Sequence, residues 1–115
     1  MASIRKAAQD VLDVAKDGIG WIVFYKEGRG WNSYYCWPDY NQYTGRLSFS
    51  CCDKEEIKDL EKIARVDPFA IIVNSYYMNL GDCDEMNGNS LADSLLWQYK
   101  MREFMLKDAL NYWKG

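Results

Sequence analysis

Residues 20–37 constrain the fold of this chain most, because they join an apolar strand, a turn and a second strand rich in aromatic residues. Residues 20–25 are apolar at consecutive positions, which is typical of a strand covered on both faces. Residues 27–30 contain two glycines, and strand-forming residues return over 31–37. A short glycine-containing connection between two such strands predicts a β-hairpin. We therefore predict that the first strand lies at the centre of a sheet.

Hydrophobic periodicity and helix-capping patterns define the other elements. The predicted elements are a helix over residues 3–16, strands over 20–25 and 31–37, a polar loop over 38–45, a strand over 47–52, a helix over 53–67, a strand over 69–78 and a helix over 90–113. The order α-β-β-β-α-β-α predicts an α+β fold, with a mixed sheet of about four strands packed by helices. If the two strands joined by the second helix are neighbours, a right-handed crossover makes them parallel. The C-terminal helix is expected to be long, roughly 36 Å at 1.5 Å per residue.

Length and composition indicate one globular domain over residues 1–115. Apolar residues make up 49% of the chain and charged residues 27%, an ordinary globular composition. Apolar runs are far shorter than the roughly 20 residues of a membrane span, so we expect a cytoplasmic protein that does not bind membranes. The net charge of −3 argues against general nucleic-acid binding, which requires a basic surface.

The chain contains no histidine and four cysteines. The lack of histidine removes the commonest general base and most classes of metal site. The cysteines, none in C-x-x-C spacing, are expected to be reduced and partly buried, although disulfides are compatible with this size. Residues 82–93 carry acids at three calcium-loop positions, but lack the glycine and glutamate that such a loop requires. We therefore predict a protein that is not an enzyme, with no cofactor and no metal site.

Nine of the eighteen aromatic residues lie between positions 21 and 43. On the second strand of the hairpin, Trp31, Tyr35 and Trp37 share one face by alternation. If the opposite face covers the core, these rings and the nearby Arg29 are open to a protein partner, since Trp, Tyr and Arg dominate binding hot spots. Alternatively, the rings form cross-strand pairs that only stabilise the hairpin.

The last helix carries two apolar stripes at helical spacing. The first is expected to face the sheet and comprises Ala92, Leu95, Leu96, Tyr99, Leu106, Ala109, Leu110 and Trp113. The second lies on nearly the opposite side and comprises Trp97, Met101, Phe104, Met105 and Tyr112. Methionine and aromatic residues together are typical of adaptable binding surfaces. The second stripe therefore predicts a partner or dimer interface, unless the helix is packed between the sheet and the first helix.

Three arginines suggest a different function, the binding of a nucleotide. Arg29, Arg46 and Arg102 could hold the phosphate of a nucleotide whose base stacks on an aromatic ring. Arg102, at the edge of the first stripe, could instead pair with a buried acid. A small-molecule binding or sequestering protein is therefore the second hypothesis, and a homodimeric structural or adaptor protein is the third.

Residues 67–81, which read Asp-Pro-Phe-Ala-Ile-Ile-Val-Asn-Ser-Tyr-Tyr-Met-Asn-Leu-Gly, and the helix from Trp97 to Trp113 resemble small uncharacterised proteins of phages and mobile elements. The resemblance covers about half of the chain. It implies a role against a host system, as in the anti-CRISPR class. The expected partner is then a host defence protein, such as a nuclease complex, or a second copy of the chain.

Overall fold

A computed structural model describes residues 3–15, 20–41, 43–44, 46–50, 52–74 and 88–114, apart from the side chains of residues 11, 12, 14, 15, 88–91 and 112–114. The elements are α1 (Ile4–Ala15), β1 (Trp21–Glu27), β2 (Gly30–Cys36), β3 (Asp39–Asn41), β4 (Arg46–Ser48), α2 (Lys54–Val66), β5 (Ile71–Asn74), α3 (Gly88–Met101) and α4 (Leu106–Lys114). No described helix is long and apolar enough to cross a membrane.

The predicted hairpin is confirmed, and its first strand is central. Strand β1 pairs antiparallel with β2 from Trp21↔Cys36 to Glu27↔Gly30, and antiparallel with β5 on its other side. Gly28 in the connecting turn has φ 60°, a left-handed conformation that glycine adopts without a steric penalty. The resulting sheet has the order β2-β1-β5.

Both faces of this sheet are covered, because successive side chains of β1 point to opposite sides. The first core cluster contains Ala7, Ala8, Ile22, Phe24, Ile71, Val73, Ala92 and Leu95, so α1 and α3 pack on that face. The second contains Val23, Tyr25, Cys36, Phe49, Leu60, Ile63, Ala70, Ile72, Leu106 and Leu110, so α2 and α4 pack on the other. Three strands thus lie between two layers that are mainly helical.

The predicted α+β class is confirmed, but the sheet differs from the predicted mixed sheet of about four strands. All pairings between the described strands are antiparallel. The third predicted strand is reduced to β4, which pairs with β3 in a separate two-stranded sheet. Part of the predicted polar loop is therefore strand β3. The condition for a parallel crossover through α2 is not met, because β4 and β5 lie in different sheets. The predicted strand continuation over residues 75–78 lies outside the described residues.

The prediction of one long C-terminal helix is also wrong. Helix α3 ends at Met101 and α4 begins at Leu106. Leu95 is buried on one face of the sheet, whereas Leu106 is buried on the other. A straight helix cannot cover both faces, so the chain passes around the outer edge of β5. There the Ile72 N–H donates to the Phe104 carbonyl at 2.8 Å, and the Leu106 N–H donates to the Ala70 carbonyl at 2.7 Å.

Helix α2 begins where its sequence predicts. The Asp53 side chain accepts a hydrogen bond from the Glu56 backbone N–H at 2.8 Å, which satisfies one of the unpaired donors of the first turn. The Glu56 carboxylate in turn accepts a bond from the Trp37 N–H at 3.4 Å. Leu60 and Ile63, from the predicted apolar stripe, are buried in the core. The cap thus fixes the start of α2 close to the end of β2.

Candidate functional site

Three residues of the predicted second stripe form an exposed apolar ridge where α3 ends. Trp97 is 62% exposed, Met101 56% and Phe104 58%. Trp97 and Met101 lie in α3, and Phe104 lies in the segment that crosses the edge of β5. Trp97 and Phe104 line one groove together, and Met101 lies one helical turn after Trp97. Exposed apolar groups mark interaction sites when they are contiguous.

The other two members of that stripe have different positions. Met105 is only half-buried and forms an isolated antiparallel bridge with Ile71. Its backbone therefore helps to anchor the crossing segment to β5. The side chain of Tyr112 lies outside the described residues, so the structure does not place it in the ridge.

Two connected grooves adjoin the ridge. The larger, of about 690 Å³, is lined by Trp21, Tyr40, Arg46, Leu47, Ile72, Val73, Asn74, Ser94, Gln98, Glu103, Phe104, Met105, Asp108 and Ala109. The smaller, of about 270 Å³, is lined by Ile71, Val73, Ser94, Trp97, Gln98, Glu103 and Phe104. The lists share five residues, so the grooves meet beside Phe104. The ridge and an apolar depression with polar walls thus form one surface.

An aromatic pair also lines the larger groove. The rings of Trp21 and Tyr40 lie 5.4 Å apart between centroids, at an interplanar angle of 54°. Arg46 lines the same groove, and Glu103 and Asp108 supply acidic groups. Rings and an arginine in one groove of this volume are compatible with a small aromatic ligand, because ligand sites are typically apolar with a few placed polar groups.

The hairpin does not have the open aromatic face that was expected. Trp31 stacks on the buried ring of Phe24, with centroids 4.9 Å apart and an interplanar angle of 4°. Tyr35 packs against the core cluster on the side of α1 and α3, and its ring would lie 2.8 Å from a Cβ at Gly20. Alternation along β2 places these rings on one face, but it does not show that helices cover that face. The face was therefore expected to be open. Trp37, beyond the end of β2, is 55% exposed, and Arg29 is exposed in the hairpin turn.

The three arginines of the ligand hypothesis do not converge. Arg46 lines the larger groove, whereas neither groove includes Arg29 or Arg102. The guanidinium of Arg102 instead lies over the ring of Phe69, with Cζ 3.9 Å from the ring centroid. The predicted pairing of Arg102 with a buried acid is not observed, since no ion pair among the described residues includes Arg102.

Sequence reasoning missed Asp67, the one polar side chain among the buried residues that the structure describes. Its carboxylate accepts hydrogen bonds from the backbone N–H groups of Lys26 and Phe69, at 2.9 and 3.0 Å, and from the Tyr99 hydroxyl at 2.8 Å. These bonds join the hairpin, the segment after α2 and helix α3. Asp67 precedes a proline, so its sequence signal was interpreted only as the end of a helix.

One buried cysteine thiol lies in the core and lines neither groove. The Cys36 thiol is buried, and burial raises its pKa, with a further contribution from Glu56. A raised pKa keeps a thiol protonated and poorly nucleophilic. In the described residues, no three Cys, Asp or Glu side chains are placed to hold a metal ion together.

Comparison with protein-family models gives a match over most of the chain. The family model of Large polyvalent-protein-associated domain 15 matches residues 2–109. Searches of the curated proteins and of the solved structures each gave no match. The family associates this domain with polyvalent proteins of phages and mobile elements, which agrees with the resemblance at that level. Because the match spans nearly the whole chain, the protein belongs to the Large polyvalent-protein-associated domain 15 family.

Proposed function

We propose that this chain is a non-enzymatic binding domain of a phage or mobile element, and that it binds a protein through the apolar ridge and the adjoining grooves. The observation that carries the proposal is the exposure of Trp97, Met101 and Phe104 beside an apolar depression. Full burial of a large apolar side chain contributes about 1.5–3 kcal/mol, and these three side chains, which are only partly covered, forgo part of that free energy. A partner that covers them recovers this free energy.

The composition of the surface favours a protein over other partners. Tryptophan, phenylalanine and methionine are enriched at protein interfaces, and hot spots cluster in depressions that exclude water. The chain has no histidine and a net charge of −3, which weakens both catalytic and nucleic-acid alternatives. The family association with phages and mobile elements makes a host defence protein, such as a nuclease complex, the partner that we infer.

The proposal is tested by capture with the tagged protein from host lysates, followed by binding measurements on the purified partner. We expect Phe104→Asp and Trp97→Ala to abolish capture while circular dichroism and the melting temperature stay unchanged. Tyr43→Ala is the matched control, because Tyr43 is 91% exposed but lines neither groove. A captured protein that binds all three variants equally would rule out this surface.

The Trp21–Tyr40 pair with Arg46 favours a second candidate, a nucleotide-binding role for the larger groove. A bound nucleotide must raise the melting temperature, because it binds only the folded state. Screening cyclic and linear nucleotides by thermal shift tests this, with Trp21→Leu expected to lose the shift. If no nucleotide changes the melting temperature at saturating concentration, this candidate fails.

A further inference from the structure

The guanidinium of Arg102 is held in place beside the apolar ridge. It lies over the ring of Phe69 at 3.9 Å, and Phe69 is itself 39% exposed. The Arg102 backbone has φ 55°, a left-handed conformation that carries a steric penalty for a residue other than glycine. An arginine stacked on a ring keeps the edge of its guanidinium available, and that edge matches the geometry of a carboxylate.

This guanidinium has no acidic partner among the described residues. The two ion pairs observed there join Lys6 to Asp10 and Lys58 to Glu55. The buried carboxylate of Asp67 already accepts three hydrogen bonds from other donors. Arg102 is thus an exposed, oriented cation whose charge is not neutralised by a direct contact.

The chain segment around Arg102 has a small excess of basic residues. Five charged side chains lie between positions 100 and 108, all exposed, and they are Lys100, Arg102, Glu103, Lys107 and Asp108. Three are basic and two acidic, although the whole chain has a net charge of −3. This segment is therefore less acidic than the chain as a whole.

We propose that Arg102 is an anchoring residue for a carboxylate of the protein partner, an aspartate or glutamate that stands among apolar side chains. The apolar neighbours of that acid would cover Met101 and Phe104 while the guanidinium takes the carboxylate. A polyanion such as DNA fits less well, because the net charge of the chain is negative and the ridge offers apolar contacts. This inference rests on the proposed function, because it concerns the same surface.

Two blocked peptides test the proposal without a known partner. They are Ac-Ser-Leu-Glu-Leu-Ser-NH2 and its glutamine counterpart, Ac-Ser-Leu-Gln-Leu-Ser-NH2. Each is titrated into the 15N-labelled protein while the Arg102 Nε–H and Trp97 indole signals are followed. We expect both peptides to shift the indole signal, and the glutamate peptide to bind about threefold to fivefold more tightly, the range of a well-oriented surface ion pair. The preference should shrink at high salt.

Two variants test whether Arg102 causes the preference for the glutamate peptide. Arg102→Gln should abolish it, and Arg102→Lys should reduce it, because lysine keeps the charge but lacks the planar fork. Arg29→Gln is the matched control, since Arg29 is also exposed but lies in the hairpin turn. Equal binding of the two peptides, with a shifted Trp97 indole, would overturn the carboxylate inference and leave the proposed apolar surface intact. Failure of both peptides to shift either signal would also overturn the inference, whereas the lysate capture tests the surface independently.

Discussion

The hydroxyl of Tyr99 donates a 2.8 Å hydrogen bond to the carboxylate of Asp67, joining helix α3 to the segment after α2. Asp67 is buried, so loss of a donor leaves a carboxylate oxygen poorly satisfied. We expect Tyr99→Phe to lower the free energy of unfolding by about 1–2 kcal/mol, as measured by urea denaturation. Tyr43→Phe is the control, because Tyr43 is almost fully exposed, and it should leave stability unchanged. Equal stability of the Tyr99→Phe variant and the wild type would contradict a stabilising role of the hydrogen bond between Tyr99 and Asp67.

Stability should fall in alkaline solution. Burial is the largest cause that raises the pKa of Tyr99 and of Tyr34. The neighbouring acids, Asp67 beside Tyr99 and Asp59 beside Tyr34, raise each pKa further. The unfolded chain therefore loses these protons from about pH 10, while the folded chain still holds them. Because the unfolded state then binds fewer protons, the free energy of unfolding decreases as pH rises above that value. Denaturation curves at increasing pH should show this fall, and Tyr99→Phe should make it shallower.

The left-handed conformation of Arg102 predicts an unusual order of substitutions. Glycine adopts φ 55° without the steric penalty that alanine has, so Arg102→Gly should be more stable than Arg102→Ala by about 1 kcal/mol. Lys100, inside α3, provides the comparison. There the alanine variant should be more stable than the glycine variant by about 1 kcal/mol. If alanine were favoured at both positions, the break between α3 and α4 would be wrong.

Leu106 belongs to the buried stripe and Met101 to the exposed one, so alanine substitutions at the two positions should affect stability to different extents. Leu106 is fully buried, so Leu106→Ala should lower the free energy of unfolding by about 2–5 kcal/mol. Met101 is exposed, and Met101→Ala should change stability by no more than about 0.5 kcal/mol. Chemical denaturation of the two variants checks the pair. A large loss on substitution of Met101 would place that side chain in the core instead of the ridge.

Cys36 should resist alkylation in the native protein. Its thiol is buried and its pKa is raised, so little thiolate forms at neutral pH. Treatment with iodoacetamide followed by peptide mass mapping should leave Cys36 unmodified until denaturant is added. The same reaction in urea is the control and should modify Cys36 readily. Modification at the same rate with and without urea would show that the thiol is accessible.

Local patterns were sufficient for the elements that depend on neighbouring residues. The start of α2 follows from Asp53 and its hydrogen bond to Glu56, and the position of β1 follows from a run of apolar residues. Helical spacing also grouped Trp97, Met101 and Phe104, although Phe104 lies outside both helices and spacing alone could not decide whether the three side chains were exposed.

Features that depend on distant contacts could not be obtained in this way. Leu95 and Leu106 fit one helical stripe, yet the sheet separates them, because β5 stands between the two core clusters. Alternation along β2 assigns the rings of Trp31 and Tyr35 to one face of the sheet, but it does not show whether other elements cover that face. The role of Asp67 requires donors from Lys26 and Tyr99, which are 41 and 32 residues away.

The passage of the chain around β5 has a consequence for how the protein unfolds. Residues 102–105 are the covalent link between a helix on one side of the sheet and a helix on the other, and their backbone is hydrogen-bonded to the strand between them. Detachment of α4 would withdraw Leu106 and release Phe104 from Ile72, which would loosen the end of α3. The two core layers are therefore coupled mechanically, and we expect them to unfold as one cooperative unit even though the sheet keeps them apart.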